Sequence, residues 1–286
     1  MEFRPARCEE SVLQEYLSLF QRCFPRARHY SIDYLRWLYA DCPAGEVVGF
    51  DAYENERLIA HYVCVPAPLN IEGKSIRGAL SLNTGTDPDY QGRGLFPKLA
   101  SMTYDRAAQL GINAIIGVAN ANSTPGFIRK LGFQAVRTLC AEIGFGSLGV
   151  DDAVPARAQF RREWSPDLLS WRLRNSANTL RVKRIDAGTL GFAAPTYIPG
   201  LSCWAERPAS QLPVLPAAHH ASALGSLARL FIGAFPEGAS RRRTYIPVPE
   251  RLRSSPLNFI YKPLNAAPAS IDGRGVFFDF LDFDAF

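Results

Sequence analysis

The first half of the chain alternates between two hydrophobic periods, one typical of amphipathic helices and one typical of half-buried strands. Helices are predicted over residues 11–20, after Ser31 as N-cap, over residues 95–110 and around residues 127–131. Strand-like runs are Val47–Tyr53, Leu58–Val65, Ile71–Arg77, Ala79–Thr86, Asn113–Ala119 and Phe133–Phe145. This mixture favours an α/β fold.

The second half echoes part of the first. Ser31, Asp33, Leu35, Trp37 and Asp41 recur 134 residues further on as Ser165, Asp167, Leu169, Trp171 and Asn175. The echo indicates two related units, with chance repetition of a helix start as the alternative. Residues 195–216 are predicted to be turn-like, residues 221–235 helical, and residues 257–262 and 275–280 strands.

Composition narrows the class of protein. With 286 residues, 47% of them hydrophobic and 21% charged, the chain is long enough for one large or two smaller globular domains. It has no apolar run of the roughly 18 to 20 residues that a membrane span needs and no hydrophobic signal segment, so we expect a cytoplasmic protein.

The six scattered cysteines are expected to be reduced thiols, and no metal-ligand spacing is present. A net charge of +5 is too diffuse for a nucleic-acid groove and favours a small anionic partner.

The segment from Thr84 to Ala100 carries the most chemical information, because it has the pattern of a strand, a glycine-bearing turn and a helix. Gly92 and Gly94 lack Cβ atoms, so backbone N–H groups can approach an anion at a helix N-terminus. Gln91 and Arg93 add side-chain donors. Neither GxxxxGK[ST] nor GxGxxG is present. The turn therefore predicts a pyrophosphate cradle, with an unliganded strand-to-helix turn as the alternative; Asp87 and Asp89 are interpreted as turn formers.

The turn and a second segment, Asn120 to Phe133 with its Leu-Gly-Phe ending, together resemble the two signature segments of the GNAT acyltransferases. The resemblance covers roughly residues 1 to 145. It implies that an acyl-coenzyme A is bound through its pyrophosphate and pantetheine. The pyrophosphate loop would be Gln91, Gly92, Arg93, Gly94, Leu95 and Phe96, the pantetheine strand Thr84, Gly85 and Thr86, and further cofactor contacts Asn120 and Asn122. An Asx turn explains the two asparagines equally well.

Two positions depart from the family pattern. Phe96 stands where the motif ends in a small residue, which crowds the turn but leaves its N–H available. Phe127 and Ile128 occupy the short helix in which many members carry a tyrosine that protonates the departing thiolate, and Thr124 is the nearest hydroxyl. The proton donor is therefore not identified by the resemblance.

The chemistry that fits is direct attack of a substrate amine on the thioester, with strand N–H groups polarising its carbonyl. His61 is the candidate general base, and a satisfied core histidine is the alternative, since it shares a strand face with Ile59 and Val63. Asp282 and Asp284 are candidates to hold the incoming amine in a cleft between the two halves. The alternative is a last strand whose carboxylates face water.

We therefore expect an α/β fold with a GNAT mixed β-sheet flanked by helices in residues 1–150. A second, smaller mixed-sheet region in residues 151–286, interpretable as a degenerate GNAT-like copy, is expected to complete the acceptor site. This layout resembles GNAT-type sugar N-acyltransferases. The expected function is transfer of an acyl group from acetyl-coenzyme A or a longer acyl-coenzyme A to a small-molecule amine, with a nucleotide-linked amino sugar as one candidate. Three alternatives stay open: a Fem-type aminoacyl transferase, a protein or peptide N-acetyltransferase, and a non-catalytic acyl-coenzyme A sensor.

Overall fold

The computed structural model describes residues 1–212, 226–239, 244–253 and 255–283. The chain divides into two compact units. The first comprises Met1–Pro68, Ile76–Gln134 and Ile260–Ser270, and the second comprises Leu69–Ser75, Ala135–Phe259 and Ile271–Phe286. Each unit is therefore assembled from three separate stretches of chain. Within the described residues, no helix combines the length and the apolar character that crossing a membrane requires.

The strands and helices follow one another along the chain as follows. The strands are β1 (Glu2–Pro5), β2 (Val48–Glu54), β3 (Arg57–Pro66), β4 (Leu69–Ile71), β5 (Lys74–Ile76), β6 (Gly78–Thr86), β7 (Ala114–Ala119), β8 (Gln134–Thr138), β9 (Cys140–Gly144), β10 (Phe160–Arg162), β11 (Arg181–Arg184), β12 (Thr189–Pro195), β13 (Leu201–Pro208), β14 (Ala228–Ala234), β15 (Tyr245–Pro247), β16 (Asn258–Pro263) and β17 (Phe278–Asp279). The α-helices are α1 (Glu10–Cys23), α2 (Ile32–Tyr39), α3 (Leu95–Gln109), α4 (Ala153–Ala156) and α5 (Pro166–Leu173), and a π-helical turn spans Gly126–Lys130.

The first unit is a mixed sheet with helices on both faces. Its strand order is β1-β2-β3-β6-β7-β16, with residues 260–263 of β16 in this unit. Pairing is antiparallel from β1 to β6 and parallel between β6 and β7. Successive side chains on a strand point to opposite faces, and on β3 His61 contacts Tyr16 of α1 and Tyr39 of α2, whereas Tyr62 contacts Tyr104 of α3. Helices α1 and α2 therefore cover one face of the sheet and α3 covers the other.

The second unit is built on another mixed sheet. Its order is β11-β12-β13-β14-β9-β15, with β17 paired to β14, and a separate sheet has the order β10-β4-β5. Only the β13–β14 pair in the main sheet is parallel among the described pairs. The expected fold class, a mixed β-sheet flanked by helices plus a second mixed sheet, is confirmed.

The two units repeat one helix and four strands in the same order. Helices α2 and α5 begin and end 134 residues apart, and each has a serine N-cap: Ser31 accepts from the Tyr34 N–H (3.1 Å) and Ser165 from the Leu168 N–H (3.2 Å). The strands that follow, β2-β3-β6-β7 and β11-β12-β13-β14, both pair antiparallel, antiparallel and parallel. The repeated helix-start pattern thus has a counterpart in strand order, which supports the interpretation of two related units.

Several predictions of secondary structure were wrong, most of them in the second half of the chain. Residues 201–208, predicted as turns, form β13, whose residues are all buried, so the strand lacks the polar alternation that signals a half-exposed strand. Residues 228–234, predicted as helical, form β14, and residues 221–225 of that prediction lie outside the described residues. Residues 71–77, predicted as one strand, fall in the β4–β5 hairpin, and residues 133–145, also predicted as one strand, form the two strands β8 and β9. Of residues 275–280, only 278–279 pair as a strand.

We expect Ser31→Ala and Ser165→Ala each to lower the free energy of unfolding by about 1 kcal/mol, because each leaves a first-turn N–H without its side-chain acceptor. Urea unfolding followed by circular dichroism measures the change. Ser101→Ala, at an exposed position inside α3, is the matched control and should be neutral or slightly stabilising. Equal losses at all three positions would contradict the capping role.

Candidate active site

Strand β6 separates from β7 partway along its length. The two strands pair from Gly78–Ala114 to Ser81–Gly117, although β6 continues to Thr86. On its other edge β6 stays paired with β3 up to Thr86. The Asp87 N–H donates to the Ile59 carbonyl in β3 (2.8 Å), so strand alternation turns the N–H groups of Thr84 and Thr86 towards the opposite edge. This stretch, residues 82–86, is called the open edge below.

The open edge leads into the glycine-bearing turn. A 3₁₀ turn at Pro88–Tyr90 follows β6, and α3 begins at Leu95 with Gly94 as its N-cap. Gly92 and Gly94 both have left-handed φ values, 77° and 74°, and a Cβ at either position would meet nothing within 4 Å. The space in front of the turn is therefore open, as an anion-binding cradle requires.

The first turn of α3 presents free donors to that space. The first intrahelical bond runs from the Lys98 N–H to the Gly94 carbonyl (3.3 Å), so the N–H groups of Gly94, Leu95 and Phe96 precede the hydrogen-bonded ladder. The positive end of the helix dipole lies at the same place. Arg93 is exposed, with its guanidinium 4.6 Å from the Tyr90 ring centre. These groups can bind a doubly charged phosphate linker.

Asp87 fixes the start of the turn. Its carboxylate is 2% exposed and accepts from Arg22 Nε (2.7 Å), Arg57 Nη2 (2.8 Å) and the Asp89 N–H (3.2 Å). Burial opposes ionisation of this carboxyl, but the Arg22 hydrogen bond, the Asp89 N–H and the two arginine charges outweigh it and lower the pKa of Asp87 below its ordinary value of 3.8. Asp87 therefore acts as a turn former, as predicted.

The second signature segment forms an Asx turn followed by the π-helical turn. Asn120 Oδ1 accepts from the N–H groups of Asn122 and Ser123, both at 3.0 Å. The Thr124 hydroxyl donates to the Asn120 carbonyl (2.7 Å), and the Phe127 ring packs edge-on against Phe96, with centroids 5.2 Å apart. The asparagine pair thus has a structural role, and contact of Asn120 or Asn122 with a cofactor stays a prediction.

His61 lies fully inside the first unit. Its Nδ1 is 2.6 Å from Asp51 Oδ1, and its Nε2 is 2.9 Å from the Tyr39 hydroxyl. The side chains of His61 and Asp51 are 0% and 1% exposed. Sequence reasoning singled out His61 but missed Asp51, Tyr39 and Asn83, whose amide donates to the Tyr39 hydroxyl (3.2 Å). The part that His61 plays as a general base stays a prediction.

Asp282 lies in the second unit and is buried among partners. Its Oδ1 accepts from Trp164 Nε1 (3.1 Å), and its Oδ2 accepts from Arg207 Nη2 (2.8 Å) and from the Asp279 N–H (2.9 Å). Burial, and after it the charge of Asp282, raises the pKa of Asp279 to about 6 against the pull of Arg207. Asp284 lies outside the described residues. Contact of either aspartate with an amine stays a prediction.

The second unit separates its own parallel pair in the same way. Strand β13 pairs with β14 only from Leu201 to Cys203 and continues to Pro208. In the continuation, the Glu206 carboxylate is 0% exposed and accepts from the N–H groups of Leu148, Gly149 and Val150 (2.8, 3.1 and 3.3 Å). In the second unit, three consecutive N–H groups are thus paired with a buried carboxylate of the same unit.

The fold and the open edge define a class: an α/β domain in which a parallel strand pair separates in front of an anion-binding helix N-terminus. Residues 2–136 match the family model described as the acetyltransferase (GNAT) domain. These residues are a GNAT acetyltransferase domain. No curated protein matches the chain.

Solved structures of low sequence identity share the fold across both units. A conserved protein of unknown function from Enterococcus faecalis V583, described as a probable N-acyltransferase, aligns with a TM-score of 0.60 at 10% identity, covering 92% of this chain and 73% of that one. A GCN5-related N-acetyltransferase from Anabaena variabilis ATCC 29413 gives 0.60 at 12% identity, with the same coverage. Eis1 from Mycobacterium abscessus gives 0.54 at 10% identity, covering 92% and 74%. At these identities the likeness shows the fold.

We expect Asp87→Asn to lower the free energy of unfolding by about 2 kcal/mol at neutral pH, because two arginines then face a neutral side chain. A carboxyl whose pKa is lowered by folding stabilises the protein above its ordinary pKa, and this contribution is lost as the pH falls below that value. The difference between the wild type and the variant should therefore shrink as urea unfolding is repeated from pH 7 towards pH 3. Asp105→Asn, at an exposed position of α3, is the control, and a pH-independent difference for Asp87→Asn would contradict the ion-pair role.

Proposed function

We propose that this protein is an acyl-coenzyme A-dependent N-acyltransferase that acylates the amine of a small molecule. One observation carries the proposal: the open edge of β6 runs directly into a left-handed glycine turn at the N-terminus of a 15-residue helix. An extended pantetheine arm needs unpaired strand N–H groups, and a pyrophosphate needs free helix N–H groups. The GNAT match over residues 2–136 supports the same co-substrate.

The proposed co-substrate site combines the two features. Backbone groups of Thr84, Gly85 and Thr86 would pair with pantetheine. The pyrophosphate would be held by N–H groups of the turn and the start of α3, with added side-chain donors; these residues are Gln91, Gly92, Arg93, Gly94, Leu95 and Phe96. Asn120 and Asn122, exposed after β7, are proposed as further contacts.

The reaction would be a direct attack of the amine nitrogen on the thioester carbon. As the C–N bond forms, negative charge develops on the carbonyl oxygen and is stabilised by open-edge N–H groups, and the C–S bond then breaks to release coenzyme A. Phe127 and Thr124 offer no free proton for the thiolate, since the Thr124 hydroxyl donates to a backbone carbonyl. The proton that the amine nitrogen loses passes through water to the thiolate, which at neutral pH becomes mostly protonated because a thiol has a pKa of about 8.5.

The acceptor is proposed to be a small amine, with a nucleotide-linked amino sugar as one candidate. Incubation with acetyl-coenzyme A and separate amines, followed by chromatography of released coenzyme A, tests the reaction. The amines are an amino sugar, its nucleotide-linked form, a lysine derivative and a peptide with a free N-terminus. Release with sugars alone supports the proposal, and release with the peptide alone favours a peptide acetyltransferase. Binding of coenzyme A without release favours a sensor, and transfer only from aminoacyl-tRNA favours the Fem-type alternative.

We expect Gly92→Val to weaken the binding of acetyl-coenzyme A at least about tenfold. A β-branched residue is disfavoured in the left-handed region, so the backbone of the turn changes conformation and its N–H groups no longer point at the phosphates. Isothermal titration measures the affinity. Gly73→Val is the matched control: Gly73 has φ 79° and open space around its Cβ position but lies in the β4–β5 turn. Undiminished affinity in Gly92→Val would remove the turn from the site.

A further inference from the structure

A chain of hydrogen-bonded side chains runs from the interior of the first unit to the open edge. The Tyr16 hydroxyl donates to Asp51 Oδ2 (2.7 Å), and Asp51 Oδ1 is 2.6 Å from His61 Nδ1. His61 Nε2 is 2.9 Å from the Tyr39 hydroxyl, which accepts from Asn83 Nδ2 (3.2 Å). Tyr16, Tyr39 and His61 are 0% exposed and Asp51 is 1% exposed, whereas Asn83 is only half-buried. These five residues are called the buried polar chain.

The hydrogen bonds from Asn83 to Asp51 can all point the same way, each group donating to the next. The Tyr39 oxygen accepts from Asn83, so its own hydrogen can go to His61 Nε2, and His61 Nδ1–H then donates to Asp51. Burial raises the pKa of Tyr39 well above its ordinary value, which keeps the phenol protonated and able to donate. Ring contacts restrict movement: the His61 ring lies 4.1 Å from that of Tyr16. The chain is therefore satisfied and rigid up to its last member, Asn83.

Asn83 lies where β6 changes its pairing. The register with β3 runs His61–Gly85 and Val63–Leu82, so two residues of β6, Asn83 and Thr84, oppose one residue of β3. This is a β-bulge. Asn83 has φ 52°, in the left-handed region, and the last β6–β7 pair, Ser81–Gly117, precedes it by two residues. The bulge thus begins the open edge.

The left-handed conformation of Asn83 is stabilised by its hydrogen bond to Tyr39. Asparagine enters this region more readily than other non-glycine residues, at a cost of up to about 1 kcal/mol, and one hydrogen bond offsets a cost of this size. Replacing a buried ion pair by well-packed apolar side chains often leaves the stability of a protein unchanged or raises it, so a buried pair such as Asp51–His61 is weak evidence for a purely stabilising role. The buried polar chain ends at Asn83, which lies in the β-bulge at the start of the open edge.

We propose that Asn83 is a positioning residue for acyl transfer: the buried polar chain holds its left-handed conformation and thereby orients the open edge so that one of its N–H groups points at the thioester carbonyl. This inference rests on the proposed function. It assigns His61 an indirect part, through Tyr39 and Asn83, without contact with the amine. No proton transfer is required of the chain.

The test uses acetyl-coenzyme A carrying ¹³C at the thioester carbonyl, whose stretching frequency in isotope-edited infrared spectra falls as hydrogen bonds to the oxygen strengthen. We expect the bound wild-type spectrum to show a shift to lower frequency from the free thioester. Most of this shift should be lost in two variants, Asn83→Gly and Tyr39→Phe. Asn83→Gly keeps a left-handed backbone accessible but removes the hydrogen bond to Tyr39. Their affinity for coenzyme A should change by no more than about twofold. With an identified amine, kcat should fall about 100-fold, the size expected for loss of a carbonyl donor.

Two variants in the same unit serve as controls. Asn55→Gly removes a left-handed asparagine (φ 50°) from the β2–β3 turn, and Tyr53→Phe removes a tyrosine hydroxyl bonded to Glu15 (2.8 Å). Both should keep the wild-type carbonyl shift. An unchanged shift in Asn83→Gly and Tyr39→Phe overturns the positioning role, as does equal loss of coenzyme A affinity and folding stability in both. Absence of any coenzyme A binding by the wild type would instead overturn the proposed function.

Discussion

The candidate active site depends on one feature of the sheet: β6 separates from β7 beyond the Ser81–Gly117 pair. Backbone N–H groups inside a sheet are normally paired, because leaving them without a partner costs free energy. Here the open edge holds its donors apart from β7, while β3 keeps the strand in place on the other side. A ligand bound along this edge, as proposed, would supply the pairing that β7 does not, and binding would then use the hydrogen-bonding groups that strand separation leaves unpaired.

The second unit also contains a parallel strand pair that separates partway along its length. Strand β13 leaves β14 after Cys203, but Glu206 is surrounded by three backbone N–H donors, and Arg207 is paired with Asp279 and Asp282. Consecutive N–H groups of the kind that can bind an anionic ligand are here bound to a carboxylate of the chain itself. Two units with the same strand order can therefore differ in ligand binding, because function depends on the site and not on the fold.

What the sequence could predict was local, and what it missed depended on pairing between distant residues. The turn at Gly92 and Gly94 and the Ser31 and Ser165 caps were predictable, because glycine and serine act on backbone within a few residues. The Asp51–His61 contact was not, since the bulge between Ala52 and Tyr53 shifts the β2–β3 register by one residue. The continuously buried β13 gave no alternation by which to recognise it.

The buried polar chain also bears on the acceptor. Both ring nitrogens of His61 are engaged inside the first unit, so its position favours removal of the amine proton by water. At pH 7 an amine with a pKa of about 8 is neutral about one time in ten, whereas a lysine-like amine with a pKa of about 10.4 is neutral about one time in a few thousand. An amine flanked by electron-withdrawing oxygens, as in an amino sugar, therefore needs no dedicated base. The indirect part proposed for His61 is compatible with such a substrate, whereas a lysine side chain would require a base that can reach the amine.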